Sequence, residues 1–360
     1  FVVEADEYAG NFDPYRPEIA VLTSAEWDHP DVFPDRAAVI AAFDRWVRRM
    51  TVSHDAPGGG TRRSRRESRA SADRSADPSP AQPTLVANVG DLGVAELVER
   101  LRDWPGRVIA TASVDVDGGR VGSFLRGIAE QFRSAAGPAH AILGRITATD
   151  PNGTALELVG LDPLRGAVPV RLRTAGRHNV ANALGVIGAA VALGVETGAI
   201  VDGIASFEGV GRRLERKGEV AGVVVFDDYG HHPTAIRETL GAVRQRAPGR
   251  RVWAVYEPLT FHRTAALLDD FAEVLAGADA VAVADIWAGR DPDTTIASAE
   301  RLARAVAARN PAIPVAAPGS VEATAAWLAQ EVRSGDAVLV MGGGRSYRIG
   351  ALLLEALADR

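Results

Sequence analysis

Four near-continuous apolar runs lie in the second half of the chain: Val223 to Phe226, Arg251 to Tyr256, Ala280 to Ile286 and Ala337 to Met341. A strand with one wetted face alternates apolar and polar residues, so strands without that alternation are covered on both faces, as in parallel sheets. Helices must supply the cover. The pattern provides them at Thr234 to Arg246, with apolar Ile236, Leu240 and Val243, and near 264 to 276, 297 to 309 and 320 to 333, with Arg345 to Ala358 closing the chain. Strand and helix in alternation predict an α/β fold, here a doubly wound domain over 212–360. At 360 residues the chain has room for a second domain, assigned to 1–211.

In that first part, Phe1 to Glu4 reads as the end of a strand and Pro17 to Thr23 as another. A helix runs from Asp35 through Phe43, Trp46 and Val47; Leu85 to Val89 and Val108 to Ala112 are strands, with a helix capped by Asp91 between them. Ala139 to Ala148, Ala155 to Val159 and Val168 to Leu172 read as antiparallel strands, the first two joined by a turn at Asp150-Pro151-Asn152-Gly153. Residues 55 to 83 are rich in Pro, Gly, Ser, Ala and Arg with few aliphatic side chains, and are expected to be a disordered surface insertion.

Composition narrows the function. With 47% apolar and 24% charged residues the chain is of the ordinary globular class, and a net charge of −6 argues against a nucleic-acid surface. No cysteine means no disulfide, no thiolate chemistry and no cysteine zinc site. No apolar run reaches the ~18 residues of a membrane span, and with no signal peptide the cytoplasm is the expected compartment. Phe1-Val2-Val3 begins as if in mid-strand, so the chain is read as a piece of a longer one. Lys217 is its only lysine and no G-x-x-x-x-G-K-[ST] loop occurs, so a phosphate cradle is expected upstream.

Several strand ends carry chemistry. Val225-Phe226 runs into Asp227-Asp228-Tyr229-Gly230-His231-His232-Pro233, before a helix whose first turn suits Pro233. Open α/β sheets bind ligands in that crevice. The segment reads either as a capped βα turn or as a site, and two histidines beside the two acids favour the site. Glu4-Ala5-Asp6-Glu7-Tyr8 and Glu26-Trp27-Asp28-His29-Pro30-Asp31 combine oxygen donors with one imidazole. That set suits Mg²⁺ carrying substrate phosphates better than structural zinc; its plainer reading is two acidic loops. Asn179 and Asn182 share a face in the first turn of a helix running to Leu193, either as caps or to pair a carboxamide with an adenine edge. Gly342-Gly343-Gly344 lacks the spaced dinucleotide pattern and reads as a nucleotide loop or as room for tight turning, and Trp287 to Pro292 as a substrate-side loop.

Together these blocks resemble one family. Glu-Ala-Asp-Glu-Tyr (4 to 8), Glu-Trp-Asp-His-Pro-Asp (26 to 31), Gly-Arg-His-Asn-Val-Ala-Asn-Ala (176 to 183), Gly-Val-Gly-Arg-Arg (209 to 213) and Asp-Asp-Tyr-Gly-His-His-Pro-Thr (227 to 234) stand in the order and approximate spacing of the Mur ligases. The resemblance implies a partial central ATPase domain, residues 1–211, followed by the C-terminal Rossmann-like ligase domain, residues 212–360. It implies ATP and Mg²⁺, and an amide-bond ligase of peptidoglycan precursor synthesis. The blocks most resemble members joining L-alanine to UDP-N-acetylmuramate, both small-molecule partners.

By the same resemblance Glu4 and His29 are the magnesium ligands, and Asn179 and Asn182, with His178, the adenine contacts. Arg213 neutralises ATP phosphate oxygens, a task that suits a guanidinium fork. Asp228 lies close to the ribose, His231 and His232 attend the incoming amine, and Arg263 takes the amino-acid carboxylate. The chain departs from the pattern at Ser24, where the family carries Asn, and at Leu259-Thr260, where the alanine ligases carry His-Arg. Arg213-Leu214-Glu215, Gly218-Glu219-Val220 and Pro233-Thr234-Ala235-Ile236 also resemble the muropeptide-recycling ligase, which attaches a tripeptide. Two further readings remain: a non-catalytic fragment, for want of the phosphate loop, and a Rossmann oxidoreductase, disfavoured because no G-x-G-x-x-G follows the first strand of 212–360.

Overall fold

The computed structural model describes residues 1–50, 82–115, 120–162, 166–289 and 291–359. The expected insertion at 55 to 83 lies outside these, its last two residues excepted. In chain order the first half forms β1 (Ile19–Leu22), α1 (Arg36–Val47), β2 (Thr84–Asn88), α2 (Leu92–Arg100), β3 (Arg107–Val114), α3 (Val121–Gln131), β4 (His140–Asp150), β5 (Gly153–Asp162), β6 (Gly166–Leu172), α4 (Arg177–Ala192) and α5 (Thr197–Ser206). The second half forms β7 (Glu215–Val220), β8 (Val223–Asp228), α6 (Pro233–Arg246), β9 (Arg251–Tyr256), α7 (Phe261–Ala266), α8 (Leu268–Leu275), β10 (Ala280–Ala284), α9 (Ala299–Arg309), β11 (Val315–Gly319), α10 (Val321–Glu331), β12 (Asp336–Met341) and α11 (Tyr347–Ala358).

Among the described residues two six-stranded sheets form, ordered β1-β2-β3-β4-β5-β6 and β11-β10-β9-β12-β8-β7. The first is parallel through β4 and antiparallel from β4 to β6. The second is parallel except where β7 pairs with β8. There the chain skips a place from β8 to β9, moves outward, and returns as β12 between them, which opens a crevice at the strands' carboxyl ends.

The continuous apolar runs are explained by burial on both faces. Val224, Phe226 and Leu339 pack with Ile236, Leu240 and Val243 of α6 and Phe271 of α8. Their neighbours Val225, Val338 and Val340 face Leu328 of α10 and Ile349 and Leu353 of α11. The first sheet divides likewise, Leu85 and Ala87 towards α1 and α2 and Val86 towards Val180, Leu184 and Ile187 of α4. Helix starts follow their caps: Asp35 accepts from Ala38 N, Asp91 from Val94 N and Ser298 from Arg301 N.

The expected strand at Phe1 to Glu4 does not form; the segment is irregular, with Phe1 and Val2 fully exposed. β1 pairs only with β2, so nothing among the described residues completes the hydrogen bonds that an extended Phe1 to Glu4 would need. The edge strand β11 escapes the apolar pattern because it is half-buried throughout and carries Pro318, which edges tolerate.

Candidate active site

A cleft of about 2210 Å³ opens between the two sheets. Glu4, Glu26, Asp28, Asn88, His178, Asn179 and Asn182 line it from the first half of the chain, and Arg213, Asp228, His232 and Thr234 from the second. The predicted Glu4, His178, Asn179, Asn182, Arg213, Asp228 and His232 thus share one cavity. His29, His231 and Arg263 do not line it. His29 stands beside wall residues, its Nε2 3.8 Å from both Glu7 Oε1 and Asp28 Oδ2.

Local folding explains these placements. Asp91 Oδ1 accepts from both Val94 N, capping α2, and Ala25 N, so one carboxylate starts a helix and seats the loop carrying Glu26 and Asp28. Asp228 is occupied in shaping its own loop: Oδ2 accepts from Leu214 N at 2.8 Å and Oδ1 from Gly230 N at 2.7 Å. The neighbouring Arg212 is enclosed between the rings of Tyr229 and Tyr347 and donates to Asp227, to the Gly342 carbonyl and to Ser346 Oγ. Arg213 then extends from Tyr229 into the cleft, exposed and without an ion-pair partner among the described residues. Close approach is what the three glycines serve: a Cβ on Gly342 would meet the Glu257 carbonyl at 2.6 Å, and one on Gly344 the Trp287 ring at 2.8 Å.

On the helix face, Asn179 Nδ2 donates to the Ala175 carbonyl at 2.7 Å and lies 3.0 Å from His178 Nε2. His178 Nδ1 has no hydrogen-bond partner among the described residues. Burial holds its pKa below the ordinary value; the Glu238 and Asp228 charges oppose the shift and Arg213 assists it. A neutral imidazole therefore faces the cavity beside an unpaired guanidinium.

Two sets of contacts join the halves across the cleft. At the front, Thr234 Oγ1 donates to Glu26 Oε1 at 2.7 Å, His232 Nε2 to the Trp27 carbonyl at 3.2 Å, and Arg263 to Asp28 through Nε at 2.7 Å and Nη2 at 3.0 Å. Burial raises the Asp28 pKa, but the Arg263 and His29 charges and their hydrogen bonds outweigh it and hold the carboxyl below the usual range. At the back, Gln245 accepts from Gly176 N at 2.9 Å and donates to the carbonyls of Asp150 at 3.0 Å and Gly153 at 2.8 Å. Arg246 adds bonds to the carbonyls of Pro151 and Arg173. Gln245 and Arg246 gave no sequence signal, since polar residues closing a helix read as a solvated face.

His231 Nδ1 donates to the Tyr229 carbonyl, and its own carbonyl accepts from Tyr256 Oη. Burial, reinforced by the Arg263 charge, pushes the His231 imidazole down to about 4. Unfolded, it titrates near ~6.5. Between those values the unfolded chain binds a proton that the folded chain refuses. Its contribution is therefore whole above about pH 6.5 and declines towards pH 4, by about 3 kcal/mol in all. Urea unfolding at about pH 7 and about pH 4.5 measures the loss, and His231→Gln should flatten that part of the profile.

A family model described as Mur ligase, glutamate ligase domain, matches residues 212–344. A UDP-N-acetylmuramate--L-alanine ligase of Frankia casuarinae is 35% identical over 376 residues, covering 99% of this chain and 66% of its own. That of a Roseiflexus species is 32% identical over 365 residues, covering 100% and 67%. A crystal structure of the corresponding Thermotoga maritima enzyme superposes with a TM-score of 0.62 at 16% identity, over 97% of this chain and 61% of that one, a likeness of fold. The chain spans about two thirds of the length of the curated relatives it matches. With identity above 30% along its whole length and a matched domain model over its second sheet, this chain is a member of the Mur ligase family.

Proposed function

We propose that the protein is an ATP-dependent amide-bond ligase of peptidoglycan precursor synthesis, joining L-alanine to UDP-N-acetylmuramate, with residues 1–211 as the nucleotide side and 212–360 as the acceptor side. One observation carries the reading: Asn179 and Asn182 from one half of the chain and Arg213 and His232 from the other line a single cavity. ATP fits this lining. Asn182 has no side-chain hydrogen bond among the described residues, and the Arg213 guanidinium waits unpaired for an anion.

No cluster of three metal donors occurs among the described residues. The donors read from the sequence are the Glu4 carboxylate on the cavity wall and the His29 imidazole, whose nearest carboxylates are those of Glu7 and Asp28. That sparse set fits Mg²⁺, which keeps water and substrate phosphates in most of its positions. Glu4 and His29 would hold the ion, which when bound offsets charge between phosphate and carboxylate.

In the reaction an oxygen of the lactyl carboxylate attacks the γ-phosphorus, the bond to the β-bridging oxygen breaks, and ADP leaves. The amine nitrogen then attacks the acyl carbon, phosphate leaves, and the amine gives up a proton. Arg213 stabilises the phosphate oxygens as charge redistributes, and the contacts between the halves exclude water. His232, fixed by the Trp27 carbonyl, would attend the incoming amine. His231, weakly basic when buried, serves orientation better than proton abstraction.

Release of ADP dependent on both UDP-N-acetylmuramate and L-alanine tests the reading. Turnover with the tripeptide in place of L-alanine would move the assignment to the recycling ligase, and nucleotide binding without turnover would support a non-catalytic role. Arg213→Ala should weaken Mg·ATP binding about 10- to 100-fold, and Arg213→Lys should recover part of it by charge without the fork. Calorimetric titration measures both, and an unchanged affinity in Arg213→Ala would remove Arg213 from the nucleotide site.

A further inference from the structure

Arg263 is 5% exposed and does not line the cavity, whereas Asp28 does. Both Asp28 oxygens are held by one guanidinium edge, Oδ1 by Nε at 2.7 Å and Oδ2 by Nη2 at 3.0 Å, across 235 residues of sequence. Nη2 also lies 3.4 Å from His29 Nδ1. A carboxylate therefore already sits on the arginine assigned to the acceptor's carboxylate, between that arginine and the cavity. The parallel-fork geometry is the one that a free α-carboxylate prefers.

We propose that Asp28 is an internal surrogate for the acceptor's carboxylate, holding Arg263 across the cleft until an incoming carboxylate takes its seat. The inference rests on the acceptor reading above and deepens it. Exchanging one carboxylate for another on the same fork keeps the charge and both hydrogen bonds, while the released Asp28 stays on a hydrated wall. Removing Asp28 with nothing in its place leaves a buried guanidinium unpaired, which is costly. An amine without a carboxylate offers Arg263 nothing in return and leaves Asp28 seated. The device thus selects carboxylates over simple amines and amides.

Arginine side-chain NMR of the whole chain reads the exchange directly, with the Arg263 Nε resonance assigned by its loss in Arg263→Lys. L-alanine and propionate should each move that resonance, and L-alaninamide at equal ionic strength should not. Asp28→Asn, which removes the competing charge, should bind both carboxylates at least fivefold more tightly by calorimetry, while Asp28→Glu keeps the wild-type affinity. Asp28→Asn binding carboxylates no more tightly, or Asp28→Glu gaining equally, overturns the surrogate. If Asp28→Asn fails to fold, the wild-type resonance still decides: movement by neither carboxylate also overturns it. If propionate acts and L-alanine does not, the surrogate stands and the L-alanine reading falls.

Discussion

Arg263→Met is expected to destabilise the protein by about 3 kcal/mol and to abolish ligase turnover. The side chain is 6% exposed and supplies both hydrogen bonds to the Asp28 carboxylate, itself 18% exposed. Methionine of similar length fills the space but leaves that carboxylate half-buried without a counter-charge. Breaking such a pair on one side costs about 3 to 5 kcal/mol, the lower end applying where water reaches one partner, as here. Denaturant unfolding measures the stability, and an Asp28→Asn/Arg263→Met double variant should recover much of it, because the stranded charge is gone. On the proposed role of Arg263, turnover should stay absent in the double variant, since an acceptor's carboxylate would still lack its fork. Recovery of both would make Arg263 purely structural.

Gly93→Ala is expected to cost about 3 kcal/mol, at the upper end for overpacking, and to loosen the front contacts between the halves. Gly93 is the second residue of α2, where a Cβ would stand 2.2 Å from the Ala25 carbonyl and 2.9 Å from Ala25 Cβ. The obstacle is backbone, so no side chain can rotate away. Relief requires the loop to shift, and that loop carries Glu26 to Thr234, the Trp27 carbonyl to His232, and Asp28 to Arg263. Thermal unfolding should show the loss, and turnover should fall more than stability alone accounts for. An unaffected melting temperature would mean that the loop yields freely.

Thr260 marks where sequence departure and backbone strain coincide. Its φ is 60°, unusual for a β-branched residue, while its Oγ1 accepts from Arg263 N at the start of α7. Such a conformation costs about 1 to 3 kcal/mol and persists where the surroundings over-determine it. Here the carbonyl of Trp287 holds Thr260 N at 3.0 Å, so the strained turn aims α7, and with it Arg263, towards Asp28 in the first half of the chain.

What could be read from residue order alone was local. Burial on both faces forces uninterrupted apolar strands, so β8, β9, β10 and β12 and the helices between them were legible, as were the helix start at Asp35 and the cap at Asp91. Clusters at strand ends were legible for a related reason, since a strand's carboxyl end is where a sheet exposes polar groups. Partnership across the cleft was not. Nothing in order or spacing says that Asp28 meets Arg263 235 positions later, or that Gln245 bonds a turn 92 and 95 positions earlier. Those pairings depend on how two separately packed sheets come to rest on each other, and a polar side chain written in a sequence looks the same whether water or a distant carbonyl completes its hydrogen bonds.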